Sequence, residues 1–227
     1  MLVRDWMHKD ATTVDVGTSM SEVARIMKEK GVLMVPVTDG GRLTGVVTDR
    51  DMKRASASDA STLDVHELLY LLNRIKISEI MSKNPVTLSP TQTVEEAARL
   101  FLENNISGAP VVDRGRVVGV ITQKEIFKVI ISLTGVGGKG IQFAFLIDDR
   151  PGSIREVTDV IRKFGGRMVS ILTTYDRAPQ GKRFAYIRMH AVDETRLETL
   201  KNELGKKATL LYMIDQATGR RDIFQGD

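Results

Sequence analysis

The alternation of apolar and polar residues predicts the same order of elements twice within the first 133 residues. Each copy begins with a short strand, ATTVDV in the first and PVTLSP in the second. A helix follows, because apolar residues then recur three and four positions apart. The next two strands are apolar and joined by a glycine turn, and a short helix begins at Asp49 or Gln123. Each copy is therefore predicted to be a β-α-β-β-α unit of about 50 residues.

The two copies align without a gap at an offset of 74 residues, from Met7 and Met81 to Arg54 and Lys128. Fifteen of these 48 pairs are identical, and many of the others are apolar in both copies. Such self-similarity indicates an internal duplication. One unit alone would leave a face of its sheet uncovered, so we expect the copies to pack as a pseudo-twofold pair. The repeats are predicted at 1–60 and 77–133.

Two further patterns concern the helices of this region. Ser19 with Glu22, and Thr93 with Glu96, predict a capping box at the start of the first long helix in each copy. Between the copies, a polar stretch gives way to an apolar one from Asp64 to Arg74. We expect a linker helix within 61–76, which packs on the pair or against a partner chain.

The C-terminal third begins with a glycine-rich segment, SLTGVGGKG, that contains the GxGxxG spacing of a dinucleotide-binding turn. That turn must follow a strand and open a helix. Here it follows an apolar stretch and precedes a strand, so 134–140 is interpreted as a linker. Residues 141–215 then predict β-α-β-β-α-β, the ferredoxin-like order, with a tail at 216–227. Pro151 is expected near the start of its first helix, and Asp193 at the N-cap of its second.

Composition and charge narrow the classes of function. The chain has 227 residues, 42% hydrophobic residues and no apolar run long enough to cross a bilayer, so a cytoplasmic location without a membrane partner is expected. The net charge is +4, but basic and acidic residues are mixed almost everywhere. Because nucleic-acid binders usually concentrate positive charge, such a partner is disfavoured.

The sequence shows no catalytic constellation. The absence of cysteine excludes disulfides, thiolate metal sites and thiol nucleophiles. His8, His66 and His190 are too scattered to predict a metal site, and no nucleophile elbow or P-loop is present. We therefore expect a chain that is not an enzyme and needs no obligatory cofactor.

The repeated phrases TDRD at 48–51 and TQKE at 122–125 stand where a strand ends and a helix begins. One interpretation is a helix cap, in which Thr and an acid three residues later bond backbone N–H groups. The other is a ligand site, since a helix N-terminus attracts phosphate and a carboxylate can accept the hydroxyls of a ribose. Arg50 and Lys124 would then supply positive charge beside the phosphate. The spacing is compatible with both.

The gapless duplication, the GVVTDRD ending and the VPV and APVVD strands resemble paired CBS domains, the modules named after cystathionine β-synthase. The resemblance covers about residues 1–133 and implies a Bateman module, which binds adenosine-containing ligands in clefts between its repeats. It assigns phosphate and ribose contacts to Thr48 and Asp51 in one cleft and Thr122 in the other. Glu125 keeps the carboxylate but adds a methylene, which leaves ribose binding in the second cleft open. The implied adenine pockets are lined by Thr12, Thr13, Met34, Val35, Pro36, Val86, Thr87, Ser107, Gly108, Ala109 and Pro110.

The segment FLIDDRPGSIREVTDVI resembles the opening of an ACT domain, a small regulatory module of amino-acid metabolism, over about residues 141–215. The resemblance implies that the turn before the first helix contacts an amino acid across a dimer interface. That turn comprises Asp149, Arg150, Pro151, Gly152, Ser153 and Ile154. A simple helix-entry turn explains Pro151 and Gly152 equally well. A CBS pair followed by an ACT domain resembles the acetoin-utilisation group of bacterial regulatory proteins.

Together these features predict a homodimeric regulatory sensor. AMP, ADP, ATP or S-adenosylmethionine would bind the CBS pair as a regulatory ligand, and an amino acid would bind the ACT-like domain. The dimer would then signal to a regulated enzyme that the sequence does not identify. The alternative is a ligand-free module that only dimerises or docks on a partner, and a nucleic-acid binder is the less favoured second alternative.

Overall fold

The computed structural model describes residues 1–59, 73–190 and 192–224. They form two compact units, Met1–Val129 and Ile130–Asp227. The first unit holds both sequence repeats, and the second holds the C-terminal third. The predicted linker helix at 61–76 falls largely outside the described residues.

The first unit repeats one order of elements. Its first half contains α1 (Val3–Trp6), β1 (His8–Lys9), β2 (Val14–Asp15), α2 (Met20–Lys30), β3 (Met34–Asp39), β4 (Arg42–Thr48) and α3 (Asp49–Asp59). Its second half contains α4 (Ile77–Ile80), β5 (Ser82–Lys83), α5 (Val94–Glu103), β6 (Gly108–Asp113), β7 (Arg116–Thr122) and α6 (Gln123–Thr134). The predicted first strands are shorter than expected. ATTVDV forms only β2, and PVTLSP forms a single bridge from Leu88 to Val111.

The first residues of each repeat pair with the sheet of the other repeat. β5 pairs with β4 of the first repeat, and β1 pairs with β7 of the second, both antiparallel. Accordingly, Ile77 is completely buried in the core of the first repeat and Val3 in the core of the second. The two repeats therefore share strands and core residues, and neither sheet is complete without its partner.

Backbone conformation follows the duplication even where the residue type changes. Positive φ angles occur at four pairs of positions separated by 74 residues. These pairs are Asp10 and Asn84, Gly31 and Asn105, Gly40 and Arg114, and Gly41 and Gly115. Gly, Asn and Asp enter the left-handed region most readily, and seven of the eight residues in these pairs belong to those types, Arg114 being the exception. The turn geometry of the unit is thus retained in both copies.

The two predicted capping boxes differ in the structure. Thr93 accepts a hydrogen bond from the Glu96 N–H at 3.1 Å, and Glu96 accepts one from the Thr93 N–H at 2.6 Å, so this box is complete. Ser19 caps α2 through the Glu22 N–H at 3.3 Å. The Glu22 carboxylate instead binds the guanidinium of Arg25. The second half of the predicted box is therefore wrong for α2, because a nearby cation competes for the carboxylate.

The second unit contains the predicted β-α-β-β-α-β order. Its elements are β8 (Ile141–Asp148), α7 (Ser153–Lys163), β9 (Arg167–Thr174), β10 (Lys182–His190), a 3₁₀ turn (Glu194–Arg196), α8 (Leu197–Gly205), β11 (Thr209–Asp215) and β12 (Arg221–Ile223). The sheet order is β12-β11-β8-β10-β9, and every neighbouring pair is antiparallel. Without β12, this is the strand arrangement of the ferredoxin-like fold.

Two details of this unit differ from the sequence prediction. β12 lies in the segment that was interpreted as a tail, and it pairs with β11 across a turn closed by Gly219 at φ +76°. Asp193 caps the 3₁₀ turn by accepting a hydrogen bond from the Thr195 N–H at 2.9 Å, while α8 itself begins at Leu197. The core of the unit lies between one sheet face and helices α7 and α8, and includes Phe143 and Leu200.

Candidate functional site

At the first strand–helix junction, Asp51 closes a compact hydrogen-bonded ring with Thr48. The Thr48 N–H and hydroxyl both donate to Asp51 Oδ2, at 2.9 and 2.7 Å, and the Asp51 N–H donates to Thr48 Oγ1 at 3.3 Å. Arg54 donates to the other carboxylate oxygen at 2.9 Å. Asp51 is buried, whereas the side chain of Arg54 is 73% exposed. A ligand hydroxyl could therefore reach Oδ1 by displacing a cation that is held only at the surface.

The second junction makes the same bonds from its threonine to a longer acid. The Thr122 N–H and hydroxyl donate to Glu125 Oε2, at 3.1 and 2.5 Å, and Lys128 donates to Oε1 at 3.3 Å. The Lys124 N–H donates to Thr122 Oγ1 at 3.2 Å. The extra methylene of Glu125 is thus accommodated without loss of the threonine contacts. Both junctions present one threonine, one carboxylate and one surface cation.

The carboxyl group of Glu125 has a perturbed pKa. Burial favours the neutral acid, but the hydrogen bonds from Thr122 and Lys128 together outweigh it and lower the pKa below its ordinary value. Glu125 is therefore held as a carboxylate, able to accept hydrogen bonds from a ligand.

The cations at the junctions were predicted only in part. The predicted cations Arg50 and Lys124 are exposed at the starts of α3 and α6. Arg54 and Lys128, which contact the carboxylates, were not predicted as site residues. They form the last pair of the gapless repeat, one helical turn after the acid, and that position could have identified them.

The strand residues of the two candidate pockets lie beside these junctions. Met34 is the partner of Thr48 in β3–β4, and Gly108 is the partner of Thr122 in β6–β7. A Cβ built on Gly108 would lie 3.0 Å from Thr122 Cγ2 and 3.4 Å from Met34 Cε, so Met34 of the first repeat reaches the junction of the second. The two junctions therefore face a common region between the repeats.

The other residues predicted to line the adenine pockets differ in their exposure. Thr13, Thr87 and Ser107 are exposed, and Thr12 and Val86 are half-buried. The side chains of Val35 and Ala109 are completely buried in the repeat cores. Pro36 and Pro110 are also buried. These four residues therefore have little or no accessible surface with which to contact a ligand.

In the second unit, the predicted effector turn follows β8. Asp149, Arg150, Pro151 and Gly152 are exposed, Ser153 is buried and Ile154 is half-buried. Gly152 adopts φ +88° at the N-cap of α7, and no side chain caps this helix end. The uncapped N–H groups can therefore receive an anion.

The charged residues of this turn are already paired. Arg150 binds both oxygens of Glu156, at 2.8 and 2.9 Å, and this contact lowers the pKa of Glu156. Asp149 accepts a hydrogen bond from the Tyr175 hydroxyl at 3.1 Å and lies 3.8 Å from the Arg183 Nε. That Nε is buried and has no hydrogen-bond partner in the described part of the chain.

Arg183 and Tyr175 were not predicted from the sequence. Both lie more than 20 positions from the turn, and Arg183 stands on β10 and Tyr175 just after β9. The fold brings them to it because β10 pairs with β8. No local pattern in the sequence indicates this.

The described residues contain neither a cluster for a metal ion nor a membrane-spanning helix. Within residues 1–59, 73–190 and 192–224, no group of three or more metal-ligating side chains is placed to hold an ion. In the same ranges, no helix has the length and apolar character needed to span a membrane.

Comparison with known proteins addresses the first unit. The family model of the CBS domain matches residues 3–58 and 77–132. A CBS domain-containing protein from Dictyostelium discoideum is 32% identical over 135 residues, which are 59% of this chain and 93% of that protein. The CBS domain pair of protein MJ0100, solved with 5′-methylthioadenosine and S-adenosyl-L-methionine, is 31% identical over 57% of this chain and 95% of its own, with a TM-score of 0.49.

A candidate acetoin utilization protein (AcuB) from Vibrio cholerae covers 60% of this chain and 95% of its own, with 22% identity and a TM-score of 0.50. At that identity the likeness concerns the fold alone. The two matches to the family model fall on the two sequence repeats, and the Dictyostelium relative is matched over almost its whole length. The chain therefore belongs to the family of CBS domain proteins.

Proposed function

We propose that this protein is a non-catalytic regulatory sensor whose CBS pair binds an adenine nucleotide or a related adenosyl ligand. The observation that carries the proposal is the duplicated junction, in which Thr48 and Asp51, and Thr122 and Glu125, have the same bonding at two helix starts. A helix N-terminus with a threonine hydroxyl suits a phosphate or other anionic group. A buried carboxylate with one displaceable cation suits ribose hydroxyls.

A role as a helix cap would explain the hydrogen bonds between each threonine and its acid, but not the cations beside them. A cap needs only the threonine and the acid, whereas each junction also has a surface cation on the carboxylate and an exposed cation at the helix start. Met34 reaches from the first repeat to the second junction, which supports an apolar surface for a base between the repeats. The combination favours ligand binding over a purely structural pair.

Calorimetric titration with a defined panel tests this proposal. The panel is AMP, ADP, ATP, S-adenosylmethionine and 5′-methylthioadenosine, added to protein shown to be free of nucleotide. We expect saturable binding of at least one compound. No binding of any of them would favour the module that only dimerises or docks. Steeply salt-dependent binding of nucleic acid in place of the panel would favour the second alternative.

Substitution of the acids assigns the site. Asp51→Ala should weaken binding at the first cleft by about tenfold or more, since a hydrogen bond to a charged group contributes about 1.5–3 kcal/mol. Asp51 matches the family pattern, so its effect should exceed that of Glu125→Ala. Both changes also remove a helix cap, at about 1 kcal/mol of stability, so circular dichroism must show a folded protein. Asp49→Ala is the matched control, because it removes an exposed carboxylate from the same helix start. Unchanged affinity in Asp51→Ala would leave Asp51 as a cap only.

We further propose that the turn at 149–154 binds an amino acid, with the uncapped helix start receiving its carboxylate and Asp149 its ammonium group. Gly152→Asp should abolish this binding, because a negative side chain would occupy the position of the carboxylate. Gly41→Asp is the control, since Gly41 has a similar φ of +80° on the other unit. Titration of the twenty amino acids measures the effect. Binding that survives Gly152→Asp would make the turn a helix entry and the domain a dimerisation element.

The sensor is proposed to act as a homodimer. β9 is an edge strand of the second sheet, and Val169, Ile171 and Leu172 on it are 37–45% exposed. An apolar edge of this kind is suited to pairing with a second copy. Sedimentation of a 25.2 kDa species at micromolar concentration, with and without nucleotide, would contradict the dimer.

A further inference from the structure

A cavity of about 560 Å³ lies in the second unit, beside the end of β8 at which the strand begins. Its lining includes Gly137 and Lys139 of the glycine-rich loop, Gln142 of β8, Arg188 of β10 and Arg221 of β12. A volume of this size is typical of sites for small molecules. The effector turn follows the opposite end of β8, roughly 20 Å away along the strand. The cavity is therefore separate from the turn proposed to bind an amino acid.

Arg188 is the unusual residue of this cavity. It is only 3% exposed and lies on the sheet face opposite the core, between the core residues Ile187 and Met189. Its Nε donates to the Thr134 carbonyl at 2.7 Å, and one terminal nitrogen donates to Gln142 Oε1 at 2.8 Å. The other terminal nitrogen is buried and has no partner among the described residues. Burial lowers the pKa of Arg188, as expected for a cation removed from water without a counter-ion.

The charges around the cavity do not balance. Three cations line it, Lys139, Arg188 and Arg221, and within the described ranges none of them forms a salt bridge with a carboxylate. The single lining acid, Asp215, is turned to the hairpin that follows it, where it accepts hydrogen bonds of 2.8 and 2.7 Å from a backbone N–H and a hydroxyl. Neutral carbonyl and amide oxygens contact Arg188 but do not cancel its charge. The cavity thus has an excess of positive charge that an anion would compensate.

The glycine-rich loop leaves room for such an anion. Nothing lies within 4 Å of the position that a Cβ of Gly137 would take. The loop is fixed at its ends, since the Gly138 N–H donates to the Gly135 carbonyl at 3.2 Å and the Gln216 N–H donates to the Gly140 carbonyl at 3.0 Å. A loop without side chains allows a ligand to approach the backbone closely. The glycine-rich segment therefore not only connects two domains but also leaves space for a ligand beside its backbone.

We propose that this cavity is a second ligand site of the C-terminal unit and binds a small anion through its carboxylate or phosphate group. The buried Arg188 and the half-buried Gln142 form its floor, and Lys139 on the loop and Arg221 on β12 contact the ligand from the rim. A guanidinium binds both kinds of anionic group through paired hydrogen bonds, so the chemistry is shared. The inference does not depend on nucleotide binding by the CBS pair.

The test uses the full-length chain and three probes without adenosine: inorganic phosphate, succinate and citrate. Calorimetry at constant ionic strength measures their affinity, and amide NMR shifts locate them. We expect at least one probe to bind saturably at about 1 mM or below, with shifts at Gly137 and Gln142. Lys139→Ala and Arg221→Ala should each weaken binding of that probe about tenfold. Arg188→Lys should also weaken binding about tenfold, although it retains the positive charge.

Lys163→Ala is the matched control, because it removes one exposed positive charge from the same unit outside the cavity. Asp51→Ala should bind the probes like the wild type, which separates this site from the CBS clefts. Binding of phosphate alone would identify a phosphate site, and binding of succinate or citrate alone a carboxylate site. The proposal is overturned if no probe binds in this range, or if Lys163→Ala weakens binding as much as the cavity variants. Because Lys139 and Arg221 are exposed, their variants should fold even if Arg188→Lys does not.

Discussion

At the scale of single residues, the notable pair is Asp51 and Glu125, which differ in length but accept the same bonds from the preceding threonine. The longer acid reaches the same backbone N–H and hydroxyl because its additional torsion lets the chain fold back onto the helix start. Each acid is also contacted by a cation one turn later, Arg54 or Lys128. The geometry of the junction thus depends on a bonding pattern and not on one residue type.

The lowered pKa of Glu125 predicts a pH-dependent contribution to stability. A carboxyl group with a lower pKa in the folded state stabilises it fully above its unfolded pKa, near 4.5, and progressively less as the pH falls below that value. Glu125→Gln should therefore reduce the free energy of unfolding by roughly 1 kcal/mol at pH 7, and the difference from the wild type should shrink below about pH 4.5. Urea unfolding between pH 7 and 3.5 measures it.

Thr122→Val provides the control for this prediction. It removes one of the hydrogen bonds that lower the pKa of Glu125, so the pH dependence attributable to the acid should become weaker in that background. A difference between Glu125→Gln and wild type that stays constant from pH 7 to 3.5 would show that the acid is not preferentially ionised in the folded state.

At the scale of elements, the pairing of β1 and β5 with the opposite repeat explains the glycine three residues before each junction threonine. A Cβ on Gly45 would lie 2.5 Å from the Met81 sulfur and 3.0 Å from the Ser82 carbonyl oxygen. A Cβ on Gly119 would lie 2.7 Å from the Met7 sulfur and 2.8 Å from the His8 carbonyl oxygen. Each glycine therefore gives space to the strand that arrives from the other repeat.

Alanine at these glycines should destabilise the first unit by about 1–3 kcal/mol, because added volume in a packed site forces shifts of its neighbours. Gly119→Ala should have the larger effect, since its nearest backbone contact is the shorter one and a backbone oxygen moves less readily than a methionine side chain. Gly137→Ala is the control, with open space around it and no positive φ. Urea denaturation measures all three. Equal stability of Gly119→Ala and Gly137→Ala would contradict the close approach of β1.

At the scale of the whole molecule, the two units have separate cores, and their unfolding can be followed by different spectroscopic signals. Trp6 is the only tryptophan, and it packs against the core of the second repeat in the first unit. Its fluorescence therefore reports the unfolding of the CBS pair, while circular dichroism reports both units. Separate cores allow the units to unfold in separate steps.

A bound adenosyl ligand should stabilise only the first unit. At 100 times its dissociation constant it adds about 2.7 kcal/mol to the stability of the unit that binds it. We expect the Trp6 fluorescence midpoint to rise, whereas part of the circular dichroism change stays at its ligand-free midpoint. Phosphate or succinate, as ligands of the C-terminal cavity, should produce the reverse pattern. A single transition that moves equally with every ligand and both probes would show that the units unfold as one.

The sequence by itself determined the duplication, the α-β-β-α order that both repeats share, and the threonine and acid of each junction, but not Arg54 and Lys128 beside the acids. These follow from local periodicity and from identity at a fixed offset, which need no knowledge of distant contacts. It also determined the strand and helix order of the C-terminal unit, but not β12, whose three residues are too few to show a period.

Only the tertiary structure decided the contacts that join distant segments. It brought α1 and β1 into the second repeat, placed Arg183 beside Asp149, and buried Arg188 against a glycine-rich loop that the sequence presents as a linker. In each case the contact joins segments that are far apart in the sequence, at a separation that local patterns do not encode. Burial of the shared apolar faces selects these pairings, and it acts on the folded chain as a whole.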